Sequence, residues 1–358
     1  MRLFEHFHLG PYELKNRIIM APLTRRRAIE ANTPNEIMAK YYSQRSSAGL
    51  IIAEGTSPSP NGLGYTHIPG LFNKDQMNAW KKTTKAVHEN DGRIFLQVMH
   101  TGRVGHPNNL PEGGRLIAPS AVPQKGEVST YDLGKQPYPV PEEMTLADIA
   151  ATIEEFKTCA LLSDEAGFDG IEIHSAHGYI PNQFLNASSN LRTDQYGGSS
   201  ENRLRFLLEI VEVCCRAIGS ERVGVRISPY SYAETDEDHT EIEYRYLKLS
   251  EILNSYDLAY LHLSHMGDAL PEKFDLWKKI REVYHDTLIL CGDFTKESAE
   301  EKLLAGEADL IAFGRDFIAN PDLVERFENN WPLNQRDRTH WYTHGSEGYS
   351  DFKKFNQD

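Results

Sequence analysis

The sequence is poor in cysteine. Four cysteines stand among 358 residues, Cys159, Cys214, Cys215 and Cys291, and no two are spaced C-x-x-C. That argues against a disulfide framework or a zinc ribbon and for buried thiols in a reducing compartment. Basic charge is also short: 38 Lys and Arg against 52 Asp and Glu give a formal net charge of −14. A nucleic-acid partner, which needs clustered cations to neutralise phosphates, is not expected. No apolar run approaches the roughly 18 residues of a membrane span. The opening MRLFEHFHLG lacks the apolar core of a secretory signal. The expectation is a cytoplasmic protein that acts on a small molecule without membrane contact, as a monomer or a weak homo-oligomer. A glycine-rich G-x-G-x-x-G turn after an early strand is missing too, which weighs against an open doubly wound sheet.

What is present is a repeating alternation. The short aliphatic runs RIIMAPLT, LIIAEGT, IFLQVMH, GIEIHSA, VGVRISP, LAYLHLS, TLILCG and DLIAFGR read as strands. Helical stretches follow them, beginning near Pro34, Asp75, Leu146, Ser200, Glu241, Pro271, Lys296 and Pro321. Ile149, Ile153, Phe156 and Ala160 repeat at spacings of four, three and four, one apolar face of a helix that Thr145 and Asp148 cap. Asn320 followed by Pro321 signals the start of the eighth helix. Eight strand–helix units in an unbroken series predict an α/β fold, a closed (β/α)8 TIM barrel. We expect one domain over residues 1–358. FHLGPYELKN would be a hairpin capping the bottom of the barrel. The Pro- and Gly-rich stretch 101–143 would be a lid loop after the third strand, and 330–358 a C-terminal tail.

Side chains alternate across a strand. Val223, Val225 and Ile227 suit the outer face, so Arg226 points inward. By the same rule Gln97 shares a face with Phe95 and Met99, and His174 shares one with Glu172. Met20, Pro22 and Thr24 are expected to share the inward face of the first strand. Thr24, Gln97, His174 and Arg226 would then converge at the C-terminal mouth, where barrel enzymes keep their active sites. A polar core network is the bland alternative. An inward arginine favours function, because a buried guanidinium demands an acceptor that a ligand could supply. The last two strands end in LCGDFT and AFGRDF. Gly292 and Gly314 would let the backbone approach an anion and Arg315 would add charge, as in the phosphate sites of many barrels.

The longest distinctive stretch is HSAHGYIPNQFLNASSNLRTDQYGGSSENRLRF. Together with MAPLTR near the start and AFGRDFIANPDL near the end, it resembles the Old Yellow Enzyme family of FMN-dependent ene-reductases, in order and spacing along nearly the whole chain. The resemblance implies a bound FMN, NADPH or NADH as hydride donor, and reduction of activated alkenes such as enones, maleimides and nitroalkenes, with nitrate esters as further substrates. It implies that Thr24 hydrogen-bonds the flavin ring, that Pro22 and Ala53 touch it through backbone, and that Leu23 lies in the same segment. Gln97 and Arg226 would grip the pyrimidine edge. Gly292, Gly314 and Arg315 fit the phosphate site, and Asp293 is expected among the cofactor-binding residues. His174 and His177 match the pair that binds the substrate's oxygen, and Tyr179 matches the proton donor. Tyr65, Met99 and Tyr342 are expected to line the substrate side. Met99 stands where several relatives carry a bulky aromatic residue.

His174 and His177 admit other readings by themselves. A zinc site needs further ligands, and no nearby cysteine or carboxylate completes one, so no metal is expected. His262 and His265 repeat the H-x-x-H spacing, which shows how little that spacing says alone. Two alternatives stay open at this level: a metal- or Schiff-base-dependent lyase on the same barrel, and a flavin-binding protein without catalysis.

Overall fold

The computed structural model describes residues 1–230, 238–265 and 271–356. Eight parallel strands close into a barrel in chain order. They are β1 Ile18–Met20, β2 Leu50–Thr56, β3 Ile94–Val98, β4 Gly170–Ser175, β5 Val223–Ile227, β6 Tyr260–Ser264, β7 Leu288–Cys291 and β8 Leu310–Phe313. The helices that follow them are α1 Glu36–Ser43, α2 Lys74–His88, α3 Leu146–Glu165, α4 Ser200–Ile218, α5 His239–Leu253, α6 Pro271–Val283, α7 Lys296–Leu304 and α8 Leu323–Asn329. The expected barrel is therefore the observed one. Its strands could be read from sequence because parallel strands are covered on both faces and appear as apolar runs.

Alternation sorts the strands into two cores. Ile171, Ile173, Val223, Val225 and Ile227 pack outward against the helices. Ile52, Phe95, Tyr260, Ile289 and Leu310 fill the lower barrel, and the antiparallel hairpin of Phe7–Leu9 and Tyr12–Leu14 closes it with Leu9 and Leu14. Thr145 and Asp148 form the capping box of α3, with Ile149, Phe156 and Ala160 buried on one face.

Three expectations change. β1 ends at Met20, whose side chain packs outward, while Ile19 and Ala21 face the barrel interior. Pro22 has no N–H to continue a ladder, so Pro22 and Thr24 reach the mouth from the segment beyond the strand and share no inward face with Met20. The eighth helix starts two residues past Pro321, near the expected place, but an unexpected element precedes it. A short helix, Arg315–Ala319, follows β8 directly; Asn320 closes it, and α8 begins after Asp322. The stretch 101–143 is also more ordered than a plain loop. Glu127–Ser129 pairs antiparallel with Lys135–Pro137, and Ile117–Ala118 pairs parallel with Glu142–Glu143. It meets the rim at His67, whose amide donates to the Tyr131 hydroxyl at 2.8 Å.

The tail is held by two buried arginines. Arg25 donates to the carbonyls of Trp341 and Gly348, and Arg27 to those of His340, Trp341, Gly345 and Glu347. Tyr349 stacks on Tyr41 with ring centroids 4.0 Å apart. Beneath them lies Glu54, fully buried, accepting from the Arg25 amide at 3.2 Å and the Tyr42 hydroxyl at 3.2 Å.

Burial outweighs these contacts and the neighbouring arginines, and pushes the Glu54 carboxyl up to about 7. Its folded value is raised, so between pH 4.5 and 7 the unfolded chain releases a proton that the folded chain keeps. Stability from this group therefore falls as pH rises through that window, by roughly 3 kcal/mol in all. Denaturant titrations at pH 5 and pH 8 check this. Relative to Glu54→Gln, the wild type should lose most of that amount between the two; parallel behaviour of both proteins would show that Glu54 does not titrate there.

Candidate active site

Strand register builds the site. Glu172 of β4 stands opposite Gln97 of β3, His174 of β4 opposite Arg226 of β5, and Arg226 opposite His262 of β6. Ser264, one inward position above His262, stands opposite Cys291 of β7. Six inward polar side chains, Gln97, Glu172, His174, Arg226, His262 and Ser264, thus form a polar band above the apolar plug. Within it, Gln97 Nε2 donates to Glu172 at 2.8 Å and His262 Nδ1 meets the same carboxylate at 2.7 Å. Burial alone would raise Glu172, but His262, Arg226 and Gln97 outweigh it and hold it below the usual carboxylate range. Glu172 is therefore an anion, and it raises His262 in turn. An anionic carboxylate accepts only, so the Gln97 nitrogen faces it and the Gln97 oxygen is left as an acceptor.

Above this layer opens a cavity of about 440 Å³, within the range of cofactor and substrate pockets. Its floor and one wall are Gln97, Arg226, Cys291 and the segment Pro22, Leu23 and Thr24. Gly292, Asp293, Gly314 and Arg315 line one end. His174, His177, Tyr179, Tyr65, Met99 and Tyr342 line the rest, with Ser264 and His265 between. Of the residues expected from sequence, only Ala53 is not part of this lining; its side chain packs in the outer layer.

The histidines sit differently. His174 is 4% exposed. Its Nδ1 accepts the Ala176 amide at 3.3 Å, which places the ring proton on Nε2. Desolvation, with the charges of Arg226, His177 and His262, pushes its pKa well below the ordinary histidine value. It is a neutral donor at pH 7. His177 follows the end of β4 in a left-handed conformation, φ 56°, with Gly178 at φ 82°. These two residues turn the chain back over the barrel. The His177 amide donates to Ser228 Oγ at 2.8 Å, and its Nε2 lies 2.9 Å from Ser264 Oγ. Arg226 Nη2 donates to that same Ser264 oxygen at 2.8 Å. Ser264 therefore ties the arginine to the histidine. Tyr179 packs edge-on to His174, centroids 4.7 Å apart, and its hydroxyl is 3.3 Å from that of Tyr65.

Sequence reading missed the supports of this turn. Asn182 Oδ1 accepts the Gly178 amide, and Gln183 Nε2 donates to the carbonyls of Gly178 and Thr101. Gln183 Oε1 accepts the Arg103 amide. Ser264 was missed as well, although its alternation with His262 on β6 was visible. Among the described residues no cluster of His, Cys, Asp and Glu could hold a metal, and no helix is long and apolar enough to cross a membrane.

The lining suits a phosphorylated, planar, hydrogen-bonding cofactor. Arg226 is nine-tenths buried, and its Nε has no partner among the described residues. An orphaned buried N–H on a guanidinium that lines a cavity calls for an acceptor, which a bound molecule could supply. At Gly292 and Gly314 an added Cβ would meet no atom of the described residues closer than 3.4 Å, and neither has a positive φ. The described residues do not demand glycine at these two positions, and the absence of a side chain leaves room there for a group approaching from the cavity. Arg315, paired to Asp293 at 3.1 Å, brings positive charge to that end.

Fold and site together define a barrel flavin oxidoreductase. Comparison with known proteins agrees. Residues 2–334 match the model of the NADH:flavin oxidoreductase / NADH oxidase family. The chain is 40% identical over 349 residues to a probable flavin mononucleotide-dependent alkene reductase of Leishmania infantum, covering 96% of this chain and 95% of the other. It is 39% identical over 371 residues to 12-oxophytodienoate reductase 7 of Oryza sativa subsp. japonica, covering 98% and 94%. The solved structure of morphinone reductase in complex with tetrahydroNAD superposes with a TM-score of 0.93 at 40% identity, over 99% of this chain and 98% of that one. The chain belongs to the NADH:flavin oxidoreductase / NADH oxidase family, the Old Yellow Enzyme family that its central motif resembles. It is an FMN-dependent ene-reductase that uses a reduced nicotinamide as hydride source.

Proposed function

We propose that the cavity reduces α,β-unsaturated carbonyl and nitro compounds, with His174 and His177 on the acceptor oxygen and Tyr179 as proton donor. FMN, when bound, supplies the hydride that it receives from the nicotinamide. The observation that carries the reading is the neutral His174 donor beside His177, both lining the cavity, with Tyr179 packed against the first. Two ring N–H donors on one oxygen draw electron density from the conjugated alkene and make its far carbon electrophilic. In the neutral His174 the ring proton is fixed by the Ala176 amide, so its donor orientation costs no reorganisation. Tyr179, through its phenol hydroxyl, then protonates the carbon next to the polarised group. Gln97, through its free oxygen, and Arg226, through Nε, would hold the cofactor's hydrogen-bonding edge, and Thr24 and the Pro22–Leu23 backbone its ring. Gly292, Asp293, Gly314 and Arg315 would surround its phosphate. Maleimides and nitrate esters extend the substrate list on the same oxygen-binding logic. Four free thiols support a reducing, cytoplasmic setting, and we assign a single domain acting as a monomer or weak homo-oligomer.

Phenol binding tests the oxygen site. A phenolate stacked on the oxidised flavin gives a long-wavelength absorbance band that can be titrated. His177→Ala removes one charge-assisted bond, worth roughly 1.5–3 kcal/mol, so affinity should fall about tenfold or more. An unchanged affinity would assign His177 to the Ser264 and Ser228 contacts alone.

A further inference from the structure

Arg26 is a cation at the cavity mouth that the reaction as described does not use. Its neighbours Arg25 and Arg27 turn inward and spend their donors largely on tail carbonyls. Arg26 turns the other way, in a left-handed conformation with φ 57°, and its side chain lines the cavity. The guanidinium carbon lies 5.4 Å from the ring centroid of Tyr65 and 5.4 Å from that of Tyr342. Such contacts use the cation's charge but none of its five N–H donors. Among the described residues the guanidinium has no carboxylate partner, and its buried Nε has no hydrogen-bond partner. The chain carries 52 acidic residues against 38 basic ones, so a cation kept free of them inside a pocket is positioned for an anion from outside.

Its place selects the kind of anion. Arg26 is stacked on Tyr65, and the Tyr65 hydroxyl is 3.3 Å from that of Tyr179. The cation therefore stands one tyrosine ring away from the proposed proton donor, on the substrate side of the mouth. Arg315, with Gly292 and Gly314, serves the other end. The planar fork of an arginine matches a carboxylate in two parallel hydrogen bonds. We propose that Arg26 is a specificity-determining residue that binds a carboxylate carried on the tail of the unsaturated substrate, held between Tyr65 and Tyr342. This rests on the reading of the cavity as the ene-reductase site. It favours acidic alkenes over their neutral analogues.

The test is binding to the FMN-loaded enzyme, read by flavin absorbance and by calorimetry. The probes are 3-(4-hydroxyphenyl)propanoate and its amide, which differ in charge and little in shape. The carboxylate should bind about tenfold more tightly at low salt, the scale of one charge-assisted hydrogen bond. The preference should shrink toward unity at about 0.5 M salt as the pair is screened. Arg26→Gln should abolish the preference and Arg26→Lys should restore part of it. Equal affinities in the wild type at low salt, or a preference that survives Arg26→Gln, would overturn the proposal without touching the reading of the site, since both probes still bind. Binding of neither probe would overturn both. Flavin reduction by NADPH and NADH supplies the last arm. If Arg26→Gln changes their ratio and leaves the carboxylate preference intact, the cation serves the nucleotide and the proposal fails.

Discussion

The Tyr179→Phe enzyme should be reduced by NADPH at close to the normal rate and reoxidised by a simple cyclic enone roughly a hundredfold more slowly, the usual scale for a lost general acid. The two half-reactions differ in what they ask of the chain. Hydride transfer from the nicotinamide needs no proton donated to carbon. Alkene reduction does, and Tyr179 lines the same cavity as the proposed oxygen-binding pair, against the ring of His174 at 4.7 Å between centroids. The substitution removes the hydroxyl and keeps the ring. Packing against His174 therefore survives, and the hydroxyl pair with Tyr65 at 3.3 Å is broken. Nitroalkenes should suffer less, because their product anion is stable and takes its proton from water afterwards. Rapid-mixing absorbance at the flavin band separates the two steps. Equal slowing of both would make Tyr179 a positioning residue and move the proton source elsewhere.

The barrel was legible because each of its eight strands is sealed on both sides, by the plug within and the helices without. That leaves unbroken aliphatic runs such as Leu50–Ile52 and Leu288–Leu290. Gln97, His174 and Arg226 were legible for a related reason: each interrupts such a run at an inward position near the strand's C-terminal end. Alternation failed where the strand itself stopped. β1 is only three residues long, so the rule that put Met20 and Thr24 on one face had no ladder to act through beyond Met20. The roles of Arg25, Arg26 and Arg27 could not be read at all. Three consecutive arginines carry no period, and what sorts them is a left-handed Arg26 and a tail more than 300 residues further along the chain that accepts from the other two. Ser264 was hidden differently. Its alternation with His262 was visible, but nothing in that alternation ties a serine at a strand end to Arg226 and His177 until the hydrogen bonds are known.

Arg226→Met should leave the barrel folded and strip it of cofactor. Glu172 keeps Gln97 at 2.8 Å and His262 at 2.7 Å when the arginine is gone, so its charge is not abandoned, and the thioether occupies much of the lost volume. The apoprotein should therefore unfold near its normal midpoint. FMN binding should respond far more. Arg226 lines the cavity and its buried Nε has no partner among the described residues, so a bound molecule would satisfy it. Truncating one member of a buried charge-assisted contact costs roughly 2–5 kcal/mol, which is an affinity loss of about 30-fold to several thousandfold. Titrating apoprotein with FMN by quenching of flavin fluorescence measures this directly. A second effect should accompany it. Arg226 Nη2 also fixes Ser264, which in turn lies 2.9 Å from His177 Nε2, so at saturating FMN the variant should still bind phenols more weakly than the wild type. Unchanged FMN affinity together with weakened phenol binding would mean that the guanidinium acts only through Ser264, as an anchor for His177.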